Sequence, residues 1–383
     1  MATLPSRASV VIVGGGVIGA SIAFHLAEAG MDGVLLVERD ALASGSTSRA
    51  AGGVRTQFSD ELNIRIALRS IEAFTAFGER PGWEIDLHQV GYLFLLTTPE
   101  QVKTFERSIA LQNSLGVPSR LLTPAEAGEL NPRIVLDDVL AAAFCPLDGH
   151  ATPEAVVQGY ASAARSQGAT LVTDCAVDGI ELEDGRIRAV STSLGRVECD
   201  TVICAAGAWS RALGALVGVE LDVTPLRRQV LVTERVADLP QNLPMTIDFA
   251  NGFYFHREGT ALLMGVNFEE QPGFKLAYDD GWLPELAAAI EHRAPSLASL
   301  GVQTTWAGLY EVTPDHNALI GESASVSRFL YATGFSGHGF LQAPAVGEIV
   351  RDLVLEREPF VDVAALSAER FSRGDERPER NII

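Results

Sequence analysis

The chain has 383 residues, 47% of them hydrophobic and 20% charged, the make-up of a folded protein with a large core and not of a disordered one. Acidic residues outnumber basic ones 49 to 29, for a formal net charge of −20, which counts against nucleic acid or anionic lipid as partner and for a small molecule. The four cysteines, Cys145, Cys175, Cys199 and Cys204, form no CxxC pair and have no histidine at zinc-like spacing, so they read as buried thiols of a reducing compartment, with no metal.

The first element is a β-branched run, Val10-Val11-Ile12-Val13, suited to a strand buried on both faces of a parallel sheet. Gly14, Gly16 and Gly19 follow as G-x-G-x-x-G, and Ile18, Ile22 and Leu26 recur at four-residue spacing as one stripe of a helix that opens at Val17. Missing Cβ atoms at such a turn let the backbone approach a pyrophosphate, and the amides at the helix start face it. The apolar run flows into this knot with no small-residue cleavage site, so we expect a cytoplasmic protein without a secretion signal. No segment reaches the roughly 20 apolar residues of a membrane span. The next run, "GVLLVERD", reads as a second strand ending in Glu38, 19 residues beyond Gly19, where an acid can accept the ribose hydroxyls of a dinucleotide. NAD and FAD both satisfy this pattern.

The segment that follows, "ERDALASGSTSRAAGGVR", resembles the glycine oxidase and sarcosine oxidase family of flavoproteins, which is D-amino-acid-oxidase-like. The resemblance implies FAD, with Gly45, Ser46, Thr47 and Ser48 in a turn beneath the flavin and Arg39 and Gly52 beside it. A second segment, from Gly168 to Ser210, reads as a strand, a meander turning at Asp184-Gly185, and a strand entering Ala205-Ala206-Gly207. By resemblance Val177 binds adenine through its backbone, and Ala206, Gly207 and Trp209 lie against the cofactor. The third segment, "FLYATGFSGHGFLQAPAVGEIVRDLV", is again strand, glycine turn and helix, its buried face read from Val346, Val350, Leu353 and Val354. Free amides across Gly337, His338, Gly339, Phe340 and Leu341 suit the charge of a reduced flavin.

Between these segments lie alternating strand patterns, "TPLRRQVLVTE", "GFYFHREGTALLMGV" and "TTWAGLY", preceded near residue 92 by a strand and helices. We therefore expect an α/β protein. Residues 1–87, 146–223 and 311–383 would form a Rossmann-like FAD-binding domain, and 88–145 and 224–310 an inserted α+β substrate domain with a mixed or antiparallel sheet. The chain ends in a charged tail, "RGDERPERNII".

Arg55, Tyr254, Tyr310 and His338 form the candidate catalytic set: Arg55 and Tyr310 by similarity to monomeric sarcosine oxidases, Tyr254 from its strand face, and His338 as either a flavin neighbour or a turn residue bonded to backbone. Arg55, ten residues after Gly45, would grip the substrate carboxylate bidentately, and Tyr310 would line the substrate cavity, while Tyr254 and His256, on one face of a strand, either line the same cavity or pack in the sheet. The chain departs from these relatives at four positions. Leu341 replaces a lysine anchor, Tyr310 replaces the arginine of glycine oxidases, Tyr254 replaces the lysine that speeds oxygen reduction, and Gly308 stands where some relatives tether FAD through cysteine, so the FAD is expected to be non-covalent. These features imply an oxidase of an amino acid or N-substituted glycine, with O2 as acceptor and H2O2 as product. The alternatives are a dehydrogenase subunit passing electrons to a heteromeric partner or quinone, a flavin-binding protein without turnover, and a plain NAD dehydrogenase.

Overall fold

The computed structural model describes residues 3–382 and is of mixed α/β class. Val10, Val11, Ile12 and Val13 lie in the strand Arg7–Val13, which pairs in parallel with Val34–Val37 on one side and Gly195–Cys204 on the other. Beyond these lie Thr170–Val172 and Phe329–Thr333, also parallel, with Leu319–Glu322 antiparallel at one edge. Side chains alternate between two cores: Val10, Ile12, Val34 and Leu36 pack into one, Val11, Val13, Leu35 and Val37 into the other. This period of two with no polar face is the signature of a sheet covered on both sides. One cover is helical. Val17–Glu28 packs against both Pro153–Ser166 and Gly339–Val354, and every residue from Val17 to Ala27 is buried, so the stripe read from the sequence is one side of a helix enclosed all round. The antiparallel ribbon Val177–Glu183 and Arg186–Thr192 extends the sheet from Gly195–Cys204, turning where Asp184 and Gly185 both have positive φ, as a two-residue hairpin requires.

A second sheet has the order Val302–Val312, Thr224–Thr233, Ala261–Gly265, Phe253–Glu258, Met245–Asp248, Tyr92–Leu96, Ala141–Cys145, Arg120–Leu122. All its pairings are antiparallel except Met245–Asp248 with Tyr92–Leu96. That one parallel pairing joins two stretches of chain about 150 residues apart and brings Tyr92 beside the residues of the later strands. Leu231, Phe253, Phe255 and Met264 pack on one face with Trp282 and Leu286. The opposite face carries Arg228, Tyr254 and Tyr310, in register with Gly308, Gly265 and Leu226 respectively.

The charged tail is not a solvated appendage. Glu379 and Asn381 are buried. The Glu379 carboxylate accepts from Ser59 N and Oγ, Asn63 Nδ2 and Asn381 N, which lays the end of the chain along the segment after Val54. Among the described residues no helix is long and apolar enough to cross a membrane.

Candidate functional site

A cavity of about 700 Å³ runs between the two sheets, within the range of small-molecule and cofactor sites. Its first end is formed by the glycine turn. Gly14 has φ +118°, and a Cβ there would run into the carbonyl of Ala205, while one on Gly19 would run into the carbonyl of Gly14. Gly14, Gly16, Val17 and Ile18 line the cavity; Gly19 does not, and serves the contact between helix and strand. The helix starting at Val17 has no side-chain cap at Gly16; Thr47 takes the Val17 amide, which leaves the following amides of the first turn to an anion. Thr47 Oγ1 accepts from Val17 N at 3.1 Å, and Glu38, also lining the cavity, accepts from Gly15 N at 2.7 Å and Asp40 N at 3.0 Å.

The Arg39 guanidinium stacks 3.8 Å from the Trp209 ring centroid, and both line the cavity with Val177, Ala206 and Gly207. Gly45, Ser46, Thr47 and Gly52 line it as well. Ser46 Oγ donates to Leu309 O at 2.7 Å, tying this turn to the second sheet. Ser48 lies outside the lining, its amide turned to Ala43 O. Residues Gly337 to Leu341 all line the cavity, and the helix Gly339–Val354 begins there without a side-chain cap. Glu311, unmarked in the sequence reading, fastens this third turn by accepting from Thr333 Oγ1 at 2.9 Å and Gly334 N at 3.1 Å; burial raises its carboxyl to about 6. The glycine approaches, the two open helix starts and the length of the cavity together fit an extended dinucleotide.

The other end of the cavity is walled by three tyrosines, each seated on a glycine. A Cβ on Gly53 would run into the Tyr92 hydroxyl, one on Gly265 would lie 2.5 Å from the Tyr254 hydroxyl, and one on Gly337 would lie 2.6 Å from the Tyr310 ring. Tyr254 and Tyr310 were expected here; Tyr92 was missed. Among the described residues none of the three hydroxyls has a protein hydrogen-bond partner. Burial raises the pKa of Tyr92 and Tyr254 far above the phenolic value, so both stay protonated and can donate to a ligand.

Three arginines also line the cavity: Arg49, Arg55 and Arg228. None of them forms an ion pair with a carboxylate among the described residues. Arg55 is buried, with Nη1 donating to Gln57 O at 2.7 Å and Nη2 donating both to Asn381 O at 2.7 Å and to His338 Nε2 at 2.8 Å. The Phe58 ring lies 4.3 Å from its guanidinium carbon. Since arginine only donates, His338 Nε2 is the acceptor; burial and the adjacent guanidinium push the pKa of His338 well below 6.5, and the ring is neutral. His256 corrects the sequence expectation. It shares a strand face with Tyr254 but lies outside the cavity lining, buried, with its ring centroid 4.7 Å from that of His150 and Nδ1 paired with Arg257 O.

Asp148 fixes the segment that carries Arg55, accepting from Thr56 N and Oγ1 at 2.7 Å each and from Gln57 Nε2 at 3.0 Å. Burial outweighs these bonds and raises its carboxyl to about 6, above the unfolded value of 3.8. The protonated form is therefore favoured by folding, and its stabilising contribution, complete below pH 4, is lost as the pH rises through 6. Asp148→Asn, which cannot ionise, is expected to gain thermal stability relative to the parent as the pH rises from 4 to 6.5 and to hold that gain above it. Melting curves of both proteins across that range check this; a difference independent of pH would refute it.

A family model for FAD dependent oxidoreductases (DAO) matches residues 9–353. Human mitochondrial sarcosine dehydrogenase is 30% identical over 392 residues, covering 96% of this chain and 42% of that protein, so the chain spans under half the length of this relative. The crystal structure of L-proline dehydrogenase from P. horikoshii superposes with a TM-score of 0.93 at 35% identity, covering 98% of this chain and 100% of that one. Glycine oxidase from Geobacillus kaustophilus superposes with a TM-score of 0.86 at 30% identity, covering 96% and 99%.

Proposed function

The chain belongs to the FAD dependent oxidoreductase family, and from that premise we propose that it oxidises the C–N bond of an amino acid or N-substituted glycine. One observation carries the reading. The cavity that fits the dinucleotide continues, without a dividing wall of side chains, into an end that offers arginines for a carboxylate and protonated tyrosines for a neutral amine. When bound, FAD would supply the redox chemistry, accepting the two electrons and the α-hydrogen that the amine gives up as it is oxidised to an imine, which water would hydrolyse.

The protein's part is to bind and orient. The residues at Gly14 to Ile18, Glu38 and Val177 would hold the adenine, ribose and diphosphate, and those at Gly337 to Leu341 the flavin. Gly308 has no side chain to tether the flavin, which supports a non-covalent cofactor. Arginine fixes the substrate carboxylate, and with it the direction in which the α-carbon hydrogen points. Tyr92, Tyr254 and Tyr310 narrow the space around the amine. His338, neutral and held by Arg55, brings no charge to the reacting centre.

The relatives support the substrate class: sarcosine and L-proline dehydrogenases and glycine oxidase all act on amino acids. O2 is the acceptor the sequence reading favours. Transfer to a partner protein or quinone is the second reading, favoured by two observations: no lysine lines the cavity, and the L-proline dehydrogenase fold superposes over nearly the whole chain.

Flavin bleaching tests both steps. With oxygen removed, at least one of sarcosine, proline, glycine or a longer N-alkyl glycine is expected to bleach the bound flavin. On admission of air, rapid recovery with peroxide assigns an oxidase, and a reduced flavin lasting minutes assigns a dehydrogenase. A flavin that none of these compounds bleaches would remove the proposed reaction.

A further inference from the structure

Arg228 is charged, faces the cavity and has almost nothing to bind. Among the described residues its Nη1 reaches only the carbonyl of its neighbour Arg227, at 3.2 Å, and its buried Nε has no partner. The guanidinium lies 5.4 Å from the centre of the Tyr310 ring. Arg227, one residue earlier and on the opposite face of the strand, shows what a satisfied arginine of this sheet looks like: Nε and Nη2 grip Glu270 and Nη1 donates to Ala277 O. An arginine left without a counter-charge in a partly desolvated cavity is unfavourable unless a ligand supplies one.

Arg55 cannot supply the carboxylate grip in the arrangement seen. A guanidinium holds a carboxylate with two parallel N–H bonds along one of two edges, Nη1 with Nη2 or Nε with Nη2. Nη2 belongs to both edges, and at Arg55 both of its hydrogens are taken, by Asn381 O and His338 Nε2. Arg55 is a positioning residue that ties the end of the chain to the third glycine turn.

We propose that Arg228, and not Arg55, anchors the carboxylate of the substrate, over the ring of Tyr310. This rests on the amino-acid reading given above. It places the anion on a strand of the second sheet.

The test uses holoenzyme and calorimetry with two unreactive probes of the same shape, pyrrole-2-carboxylate and its neutral amide. Arg228→Met is expected to weaken the carboxylate about 100-fold, as loss of one partner of a desolvated charge pair does, and to leave the amide unchanged; Arg228→Lys is expected to recover part of the loss. Equal weakening of both probes, unchanged binding of the carboxylate, or failure of the parent protein to bind it would overturn the assignment. Release of FAD from Arg228→Met on gel filtration would assign the arginine to the cofactor instead and overturn it too. The amino-acid reading fails separately: if the carboxylate binds through Arg228 but no amino acid bleaches the flavin, the anion site stands and the redox substrate does not.

Discussion

Gly14→Ala is expected to yield a colourless protein. The position has φ +118°, which an L side chain rarely adopts, and the added Cβ would collide with the carbonyl of Ala205 and stand 3.2 Å from Ala206 Cα. Both obstacles are backbone, held by the parallel pairing of Arg7–Val13 with Gly195–Cys204, so neither can rotate away as a side chain would. Relief requires the turn to move, and the start of the helix Val17–Glu28 moves with it. The diphosphate then loses the aligned amides that favour it, and affinity for FAD is expected to fall at least about 100-fold, roughly 3 kcal/mol. Absorbance of the purified protein and titration of the apoprotein with FAD give the number. Gly30→Ala is the matched control: its φ is also positive, at +81°, but nothing lies within 4 Å of the added Cβ. That variant should lose about 1 kcal/mol of stability and remain yellow. Full flavin occupancy in Gly14→Ala would show that the first turn does not hold the cofactor.

What was legible in the sequence is what chemistry confines to short stretches of chain. Strand, glycine turn, helix, strand and Glu38 occur within 29 residues, and the close approaches at Gly14 and Gly19 are made by backbone no residue type can replace. The substrate end is different. Tyr92 and Tyr254 are 162 positions apart and share the cavity through the register that sets Tyr92 against Met245 and Tyr254 against Ile247; no local pattern signals that pairing. Arg228 was hidden inside an ordinary strand run, and only the fact that its face of the sheet turns to the cavity separates it from Arg227. His256 shows the converse. Strand alternation correctly places it on the face of Tyr254, yet the cavity ends before reaching it and His150 fills the space. The charge of the tail gives no sign of its burial: Glu379 and Asn381 are buried through contacts with Ser59, Asn63 and Arg55, more than 300 residues away.

Arg55→Met follows from that last contact and carries the largest expected loss of stability. Methionine retains much of the apolar stem against Phe58 but leaves the carbonyl of Asn381 and the Nε2 of His338 without their donor, and the carbonyl of Gln57 with Asn381 Nδ2 alone. Each buried unpaired group costs about 1–3 kcal/mol. Against this stands the relief of a buried cation that no carboxylate among the described residues pairs within 4 Å, so the net loss is expected at about 3 kcal/mol, a fall of roughly 4 °C in Tm for a chain of this length. The loss should concentrate at the end of the chain. Asn381 would then be held by Glu379 and by its own Nδ2 bond to Gln57 O, at 3.3 Å, and trypsin should cut after Arg380 faster than in the parent. Freed from Arg55, His338 also loses the neighbouring charge that helps keep it neutral, and its pKa should rise toward 6.5. Binding of pyrrole-2-carboxylate distinguishes this role from a direct grip: lowered Tm and faster tail cleavage with affinity reduced far less than in Arg228→Met identify Arg55 as a buttress. An unchanged Tm with collapsed carboxylate binding would make it the anchor after all.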